Sequence, residues 1–139
     1  MNNLLSQNTK TLLKIVIPIN AVTKKNHGRI IQKKTKFGKS IPIMLPSEAY
    51  TKYEAKCKAY MPILEKPIDF PINLECHYYL ETRRKCDLTN LLQATCDILV
   101  KYKIIEDDNY SIVASFDGTK AEYDKENPRT EIYITKKEG

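Results

Sequence analysis

From Arg83 to Asp108 the chain reads RRKCDLTNLLQATCDILVKYKIIEDD, and this run constrains the fold more than any other. Leu88, Leu91, Leu92, Thr95, Ile98, Leu99 and Tyr102 fall on one arc at the roughly 100° per residue of an α-helix, the face that packs on a core. Asn90, Gln93, Asp97 and Lys101 fall on the other side, with Asn90 and Asp97 aligned two turns apart. The helix is expected to start at Asp87, whose carboxylate can meet the free N–H groups of a first turn, and to end between Tyr102 and Ile104. Before it, residues 71–82 (PINLECHYYLET) alternate as a half-buried strand does. Ile72, Leu74, Cys76, Tyr78 and Leu80 share one face; Asn73, Glu75, His77, Tyr79 and Glu81 share the other. That strand delivers Arg83, Arg84 and Lys85 to the helix entrance. Asp107 and Asp108 open the next strand, expected over residues 109–116. A strand packed beside the helix entrance would return them to Asp87.

The rest of the chain supplies the layers. Residues 1–9 read as a frayed N-terminus. Residues 11–19 (TLLKIVIPI) are rich in branched aliphatics and predict a buried strand, which Pro18 limits near its end. Next comes a segment with Lys24, Lys25, Arg29, Lys33, Lys34, Lys36 and Lys39 and no acidic residue. Gly38-Lys39 is expected to turn a hairpin between residues 28–35 and 40–44. Ser47 is placed to cap a helix running to about Met61 before Pro62. Its Tyr50, Tyr53, Cys57 and Tyr60 recur at three- and four-residue steps, the spacing of a packing stripe. Residues 122–129 read as a charged connector and residues 130–136 as the last strand. The order of elements predicts a single α+β (or α/β) domain, residues 1–139, with two main helices on a mixed β-sheet.

Composition narrows the partners. At 139 residues the chain is long enough for one domain with a real core, and its net charge of +6 suits nucleic acid as well as plain solubility. No apolar run is long enough to span a bilayer and no signal peptide is visible, so a cytoplasmic protein is expected with no membrane partner. Cys57, Cys76, Cys86 and Cys96 form no C-x-x-C pair. Cys76, His77, Cys86 and Cys96 fit no standard zinc-finger spacing, and reduced thiols are expected.

Two readings of the charged residues stand side by side. In one, Asp87 caps a helix, Asp107-Asp108-Asn109 forms a turn, Asp97 is solvated, and the hairpin is merely basic. In the other, Asp87, Asp97, Asp107 and Asp108, with Asn90, form an acidic site, and Lys24, Lys25, Arg29, Lys33, Lys34, Lys36, Arg83, Arg84 and Lys85 hold phosphates around it. Hard divalent cations such as Mg²⁺, or Mn²⁺, take oxygen ligands and activate water for phosphodiester cleavage. Asn20 and Asn26 are further candidate donors near that site.

Arg83, Arg84, Asp87, Asn90, Leu91, Asp97, Asp107 and Asp108 occur in the order and spacing of a known signature: basic residues, D-x-D-N-L, a helix with a further Asp, then an Asp pair before a strand. In this the chain resembles the RusA family of Holliday junction resolvases of phages and prophages. The resemblance implies a metal-dependent endonuclease for four-way DNA junctions, acting as a homodimer in recombination and repair. It puts the catalytic, metal-binding carboxylates on Asp87 and Asp108; Asp107 or Asp97 is a candidate to supply a further ligand oxygen. The family's second Asp falls on Thr89 and its catalytic Lys on Gln93. These two departures leave a second expectation open, a weakened or inactive protein that binds branched DNA through the same basic surface.

Overall fold

The alternating residues 72–80 form the strand around which everything else is arranged. The structure, a computed structural model, describes residues 11–24, 29–45 and 47–137, without the side chains of residues 29–31 and 44. The frayed N-terminus, Lys25, Asn26, His27 and the side chain of Arg29 therefore lie outside the described residues. The elements are β1 (Thr11–Ile17), β2 (Arg29–Lys34), β3 (Ser40–Leu45), α1 (Glu48–Cys57), a 3-10 turn (Lys58–Tyr60), β4 (Ile72–Leu80), α2 (Leu88–Lys101), β5 (Val113–Ser115), β6 (Lys120–Tyr123) and β7 (Arg129–Lys136).

The main sheet is mixed. β1 pairs antiparallel with β7, and β7 antiparallel with β4. The outer edge of β4 takes two short parallel strands, β5 at its start (Ile72 opposite Val113) and β6 at its end (Leu80 opposite Tyr123). β6 falls inside a stretch read from sequence as turn and connector, and the expected strand over residues 109–116 shrinks to β5. Side chains fill the gap between the two. Thr119 Oγ1 accepts the Cys76 N–H (3.1 Å) and lies 3.4 Å from the Leu74 carbonyl. Asn73 donates to the Asp117 carbonyl (3.1 Å) and accepts from the Asp117 N–H (2.8 Å). Gly118 turns between them at φ +88°, where a Cβ would meet the Glu75 carboxylate at 2.7–3.0 Å.

Both helices cover one face of this sheet. Ile72, Leu74, Cys76 and Tyr78 of β4 and Ile132 and Ile134 of β7 are fully buried, together with Tyr50 and Cys57 of α1 and Ile98 and Leu99 of α2. Tyr78 and Thr95 hydroxyls meet at 2.6 Å inside this layer, locking α2 onto β4. Across the helices, Lys101 Nζ donates to Glu54 Oε1 (2.7 Å) and Tyr102 Oη to the Glu54 carbonyl (2.8 Å). The aromatic stripe of α1 is packing, as its spacing suggested, except for Tyr60. There the helix tightens into the 3-10 turn and the ring rotates out, 41% exposed.

The caps follow local chemistry. Ser47, buried, accepts the Tyr50 N–H on its Oγ at 3.1 Å. Ser47→Ala is expected to cost about 1 kcal/mol, read as a lower urea midpoint at constant slope; an unchanged midpoint would show that the cap contributes nothing. α2 ends in a Schellman arrangement. Lys103 takes φ 61°, Ile104 N–H donates to Leu99 O (2.8 Å) and Lys103 N–H to Val100 O (3.1 Å).

β2 and β3 form a separate two-stranded hairpin that, among the described residues, pairs with no strand of the main sheet. The expected turn is present. Thr35 N–H donates to Lys39 O (2.7 Å) and Gly38 N–H to Thr35 O (3.0 Å), with Gly38 at φ +81°.

Candidate active site and nucleic-acid interface

The N-terminus of α2 opens a cleft at the carboxyl end of β4. Asp87 is the N-cap residue by backbone, its carbonyl accepting from Asn90 and Leu91 N–H groups, but its carboxylate makes no cap hydrogen bond. The exposed carboxylate is thus not used in holding the helix, and the capping reading does not describe it. The cleft, about 500 Å³, is lined by Asn20, Ala21, Val22 and Thr23 on one side and by Arg84, Lys85, Asp87 and Asn90 on the other, with Leu80 and Leu91 beneath. Asn20 Oδ1 accepts the Glu81 N–H at 2.9 Å and so ties the two walls together. The wall of residues 21–23 was missed in the sequence; its only signal was the apolar-to-polar change after Pro18 ends the strand.

Around the cleft the cations divide into two groups. Arg84 and Lys85 are exposed and form no ion pair among the described residues. Arg83 stacks over the Tyr123 ring, 4.1 Å from its centroid. Lys24, expected on the DNA-binding surface, pairs with Asp97 at 2.9 Å and also lies over the Tyr50 ring. That pair fastens the β1–β2 connector to α2 and offsets the Asp97 charge, so each is bound to the other before any phosphate or metal arrives.

Asp107 and Asp108 follow the far end of α2. Asp107 does turn work: its Oδ1 accepts the Asp108 N–H (2.8 Å) and its Oδ2 the Asn109 amide (2.9 Å). These bonds hold its carboxyl below the usual range. Asp108 moves the other way. Partial burial, a hydrogen bond to Asp107 and the negative charges of Asp107 and Asp97 raise its pKa. A cation at Asp108 would relieve that repulsion.

One expectation is overturned. The strand after α2 does not return Asp107 and Asp108 to Asp87. β5 pairs with Ile72 at the start of β4; Ile105 bridges Ile68, and Ile72 N–H donates to Ile112 O (2.7 Å). Asp87 instead follows the end of β4. The 14 residues of α2 stand between them, about 21 Å at 1.5 Å per residue. Among the described residues no group of three or more His, Cys, Asp or Glu is gathered to hold a metal ion. One chain therefore places Asp87 and Asn90 at the cleft, and Asp107 and Asp108 beyond the other end of α2, where the Asp97 charge reaches Asp108. Thr89 and Gln93 are exposed on α2, Thr89 in its first turn beside Asp87. The four cysteines are free, and burial pushes the Cys57 thiol up to about 11 and those of Cys76 and Cys96 to about 12.

The hairpin supplies a second basic surface. Lys33, Lys34, Lys36 and Lys39 are exposed, and none forms an ion pair among the described residues. No described helix is long and apolar enough to cross a membrane.

Comparison with known proteins adds one finding. A family model, Endodeoxyribonuclease RusA, matches residues 18–135. No curated protein matches the chain. The matched span takes in the cleft, the hairpin, both helices and the main sheet from β4 to Thr135 of β7, and the chain belongs to the RusA endodeoxyribonuclease family.

Proposed function

We propose that this chain is a divalent-metal-dependent endonuclease that resolves four-way DNA junctions as a homodimer, in the cytoplasm, in recombination or repair. The observation that carries the reading is the Asp87 carboxylate, which makes no cap hydrogen bond, at the mouth of a cleft, flanked by Arg84 and Lys85, cations with no ion pair among the described residues. A phosphodiester drawn in by those cations meets a carboxylate that no cap bond holds. Membership of a family of endodeoxyribonucleases supports the reaction class.

The opposite placement of Asp87 and Asp108 supports the dimer. A two-fold axis that sets the entrance of one α2 beside the far end of its partner's α2 would join Asp87 of one chain to Asp108 of the other, twice. Asp87 and Asp108, with Asp107, would then hold an Mg²⁺ or Mn²⁺ ion. Bound there, the ion would supply an activated water and charge stabilisation at the leaving oxygen. Two such sites suit paired cuts across a two-fold junction.

The residues of the chain divide the remaining work. Arg84 and Lys85 orient the phosphate at the cleft, Asn90 offers an amide to it, and the hairpin lysines hold a neighbouring arm. Lys24 and Asp97 position the cleft wall and act on substrate only indirectly. Thr89 offers a hydroxyl in place of an anionic oxygen.

A synthetic four-way junction incubated with the protein and Mg²⁺ is expected to be cut in paired opposing strands, and chelator is expected to stop cutting but not binding. Junction binding without cutting at any Mg²⁺ or Mn²⁺ concentration would favour the inactive DNA-binding reading, for which Thr89 and Gln93 are the specific grounds. In that case Thr89→Asp should bring some cutting back.

A further inference from the structure

The β2–β3 hairpin carries a feature that phosphate binding does not require. At its tip stands Phe37, 80% exposed, on a turn closed by hydrogen bonds. The Thr35 hydroxyl accepts N–H bonds from both Phe37 and Lys39, each at 3.3 Å, in addition to the two backbone bonds that close the turn. Lys36 Nζ lies 5.4 Å from the ring centroid on one side. Beside the tip, Ile41 is also exposed, 44%, and sits directly across from Lys33. A large apolar ring held out in water by a hydrogen-bonded turn has no role in the chain's own core.

We infer that the hairpin tip is a base-stacking probe, with Phe37 laid against an unstacked base at the branch point of the DNA while Lys33, Lys34, Lys36 and Lys39 hold the phosphates around it. The inference rests on the branched-DNA reading and adds to it how a branch is told from plain duplex. Three observations support it. Aromatic rings exposed among unpaired lysines are the general means of gripping unpaired bases, since every base has a face to stack. The turn is pre-ordered, so little conformational freedom is lost on stacking. Charge favours an anionic occupant, because no acidic residue occurs between Ala21 and Ser47; a second copy of a chain with net charge +6 would bring like charges together at this tip.

The chain contains no tryptophan, which makes a direct test available. In full-length Phe37→Trp, bound in chelator to prevent cutting, the single indole should be quenched by a four-way junction and not by linear duplex of equal length. Phe37→Ala should lose about tenfold in junction affinity while duplex affinity stays within about twofold, and Phe37→Trp should restore it. The triple change of Lys33, Lys34 and Lys36 to Ala should instead weaken both DNAs alike and flatten the salt dependence by roughly 1 per lost phosphate contact. Indole emission unchanged on a saturating junction would overturn the inference. So would equal losses on both DNAs in Phe37→Ala, or a fall in sedimenting mass, which would assign the tip to contact between copies. If the parent protein still cuts junctions in any of those cases, the nuclease reading stands and only the probe is lost. If the parent binds no DNA, both fall.

Discussion

Asp87→Asn is expected to cut four-way junctions at least roughly a hundredfold more slowly than the parent, with junction binding unchanged or slightly tighter once a negative charge near the phosphates is removed. Asp108→Asn is expected to do the same from the other end of α2. The informative measurement is the mixture. If Asp87 of one chain works with Asp108 of its partner, a dimer of one Asp87→Asn chain and one Asp108→Asn chain holds one site with both changes and one site with neither. Mixing equal amounts of the two inactive proteins, with time for exchange, should recover about a quarter of the parental sites. Those dimers should make single nicks rather than paired cuts. A mixture that exchanges subunits and stays inactive would show that the carboxylates are not shared in this way. Asn variants that cut at the parental rate would make the acidic residues structural.

Leu99→Ala should have the largest effect on stability. Leu99 is fully buried, and its carbonyl is the acceptor for Ile104 in the Schellman end of α2. Removing its side chain leaves a cavity between helix and sheet and takes away the Leu99–Ile104 contact that accompanies that motif. A loss of about 3–4 kcal/mol is expected, a large part of the 5–15 kcal/mol typical of a domain. Urea unfolding should show the midpoint fall with the slope preserved. A loss under about 1 kcal/mol would mean that Ile98 or Ile104 moves in to fill the space. Because Leu99 lies under the turn leading to Asp108, cleavage should fail on warming before junction binding does.

The elements that sequence revealed are those whose burial is periodic. Residues 72–80 alternate because one side meets the helices, and the α2 arc is apolar because one side meets β4. Ser47 announced its cap. β6 was invisible because all four of its residues are exposed; a short polar edge strand has no pattern to read. β5 shortened because Asn109 accepts the Ser111 N–H at 2.9 Å and the chain turns there before it can pair. At the candidate site, the residue types and the cleft flank at Asp87 were legible, and the separation of Asp87 from Asp108 was not. Sequence order says that a strand follows α2, but which end of β4 receives it depends on pairing between residues 72 and 113, which no local propensity encodes. The Lys24–Asp97 pair is hidden for the same reason, since only the fold makes neighbours of residues so far apart in the chain.

The break between β5 and β6 has a dynamic consequence. Along most of its length β4 is held on both sides by backbone ladders, but beside Cys76 its outer edge depends on one hydroxyl, that of Thr119. The two edge strands are therefore held to β4 separately, and β6 is expected to open without unzipping β5. Tyr123 rides on β6 and carries Arg83 stacked on its ring, so that breathing of this flap swings the basic loop leading to Asp87. The rate at which the cleft presents its cations to DNA would then be set by a local opening on the far edge of the sheet, well below the free energy of global unfolding.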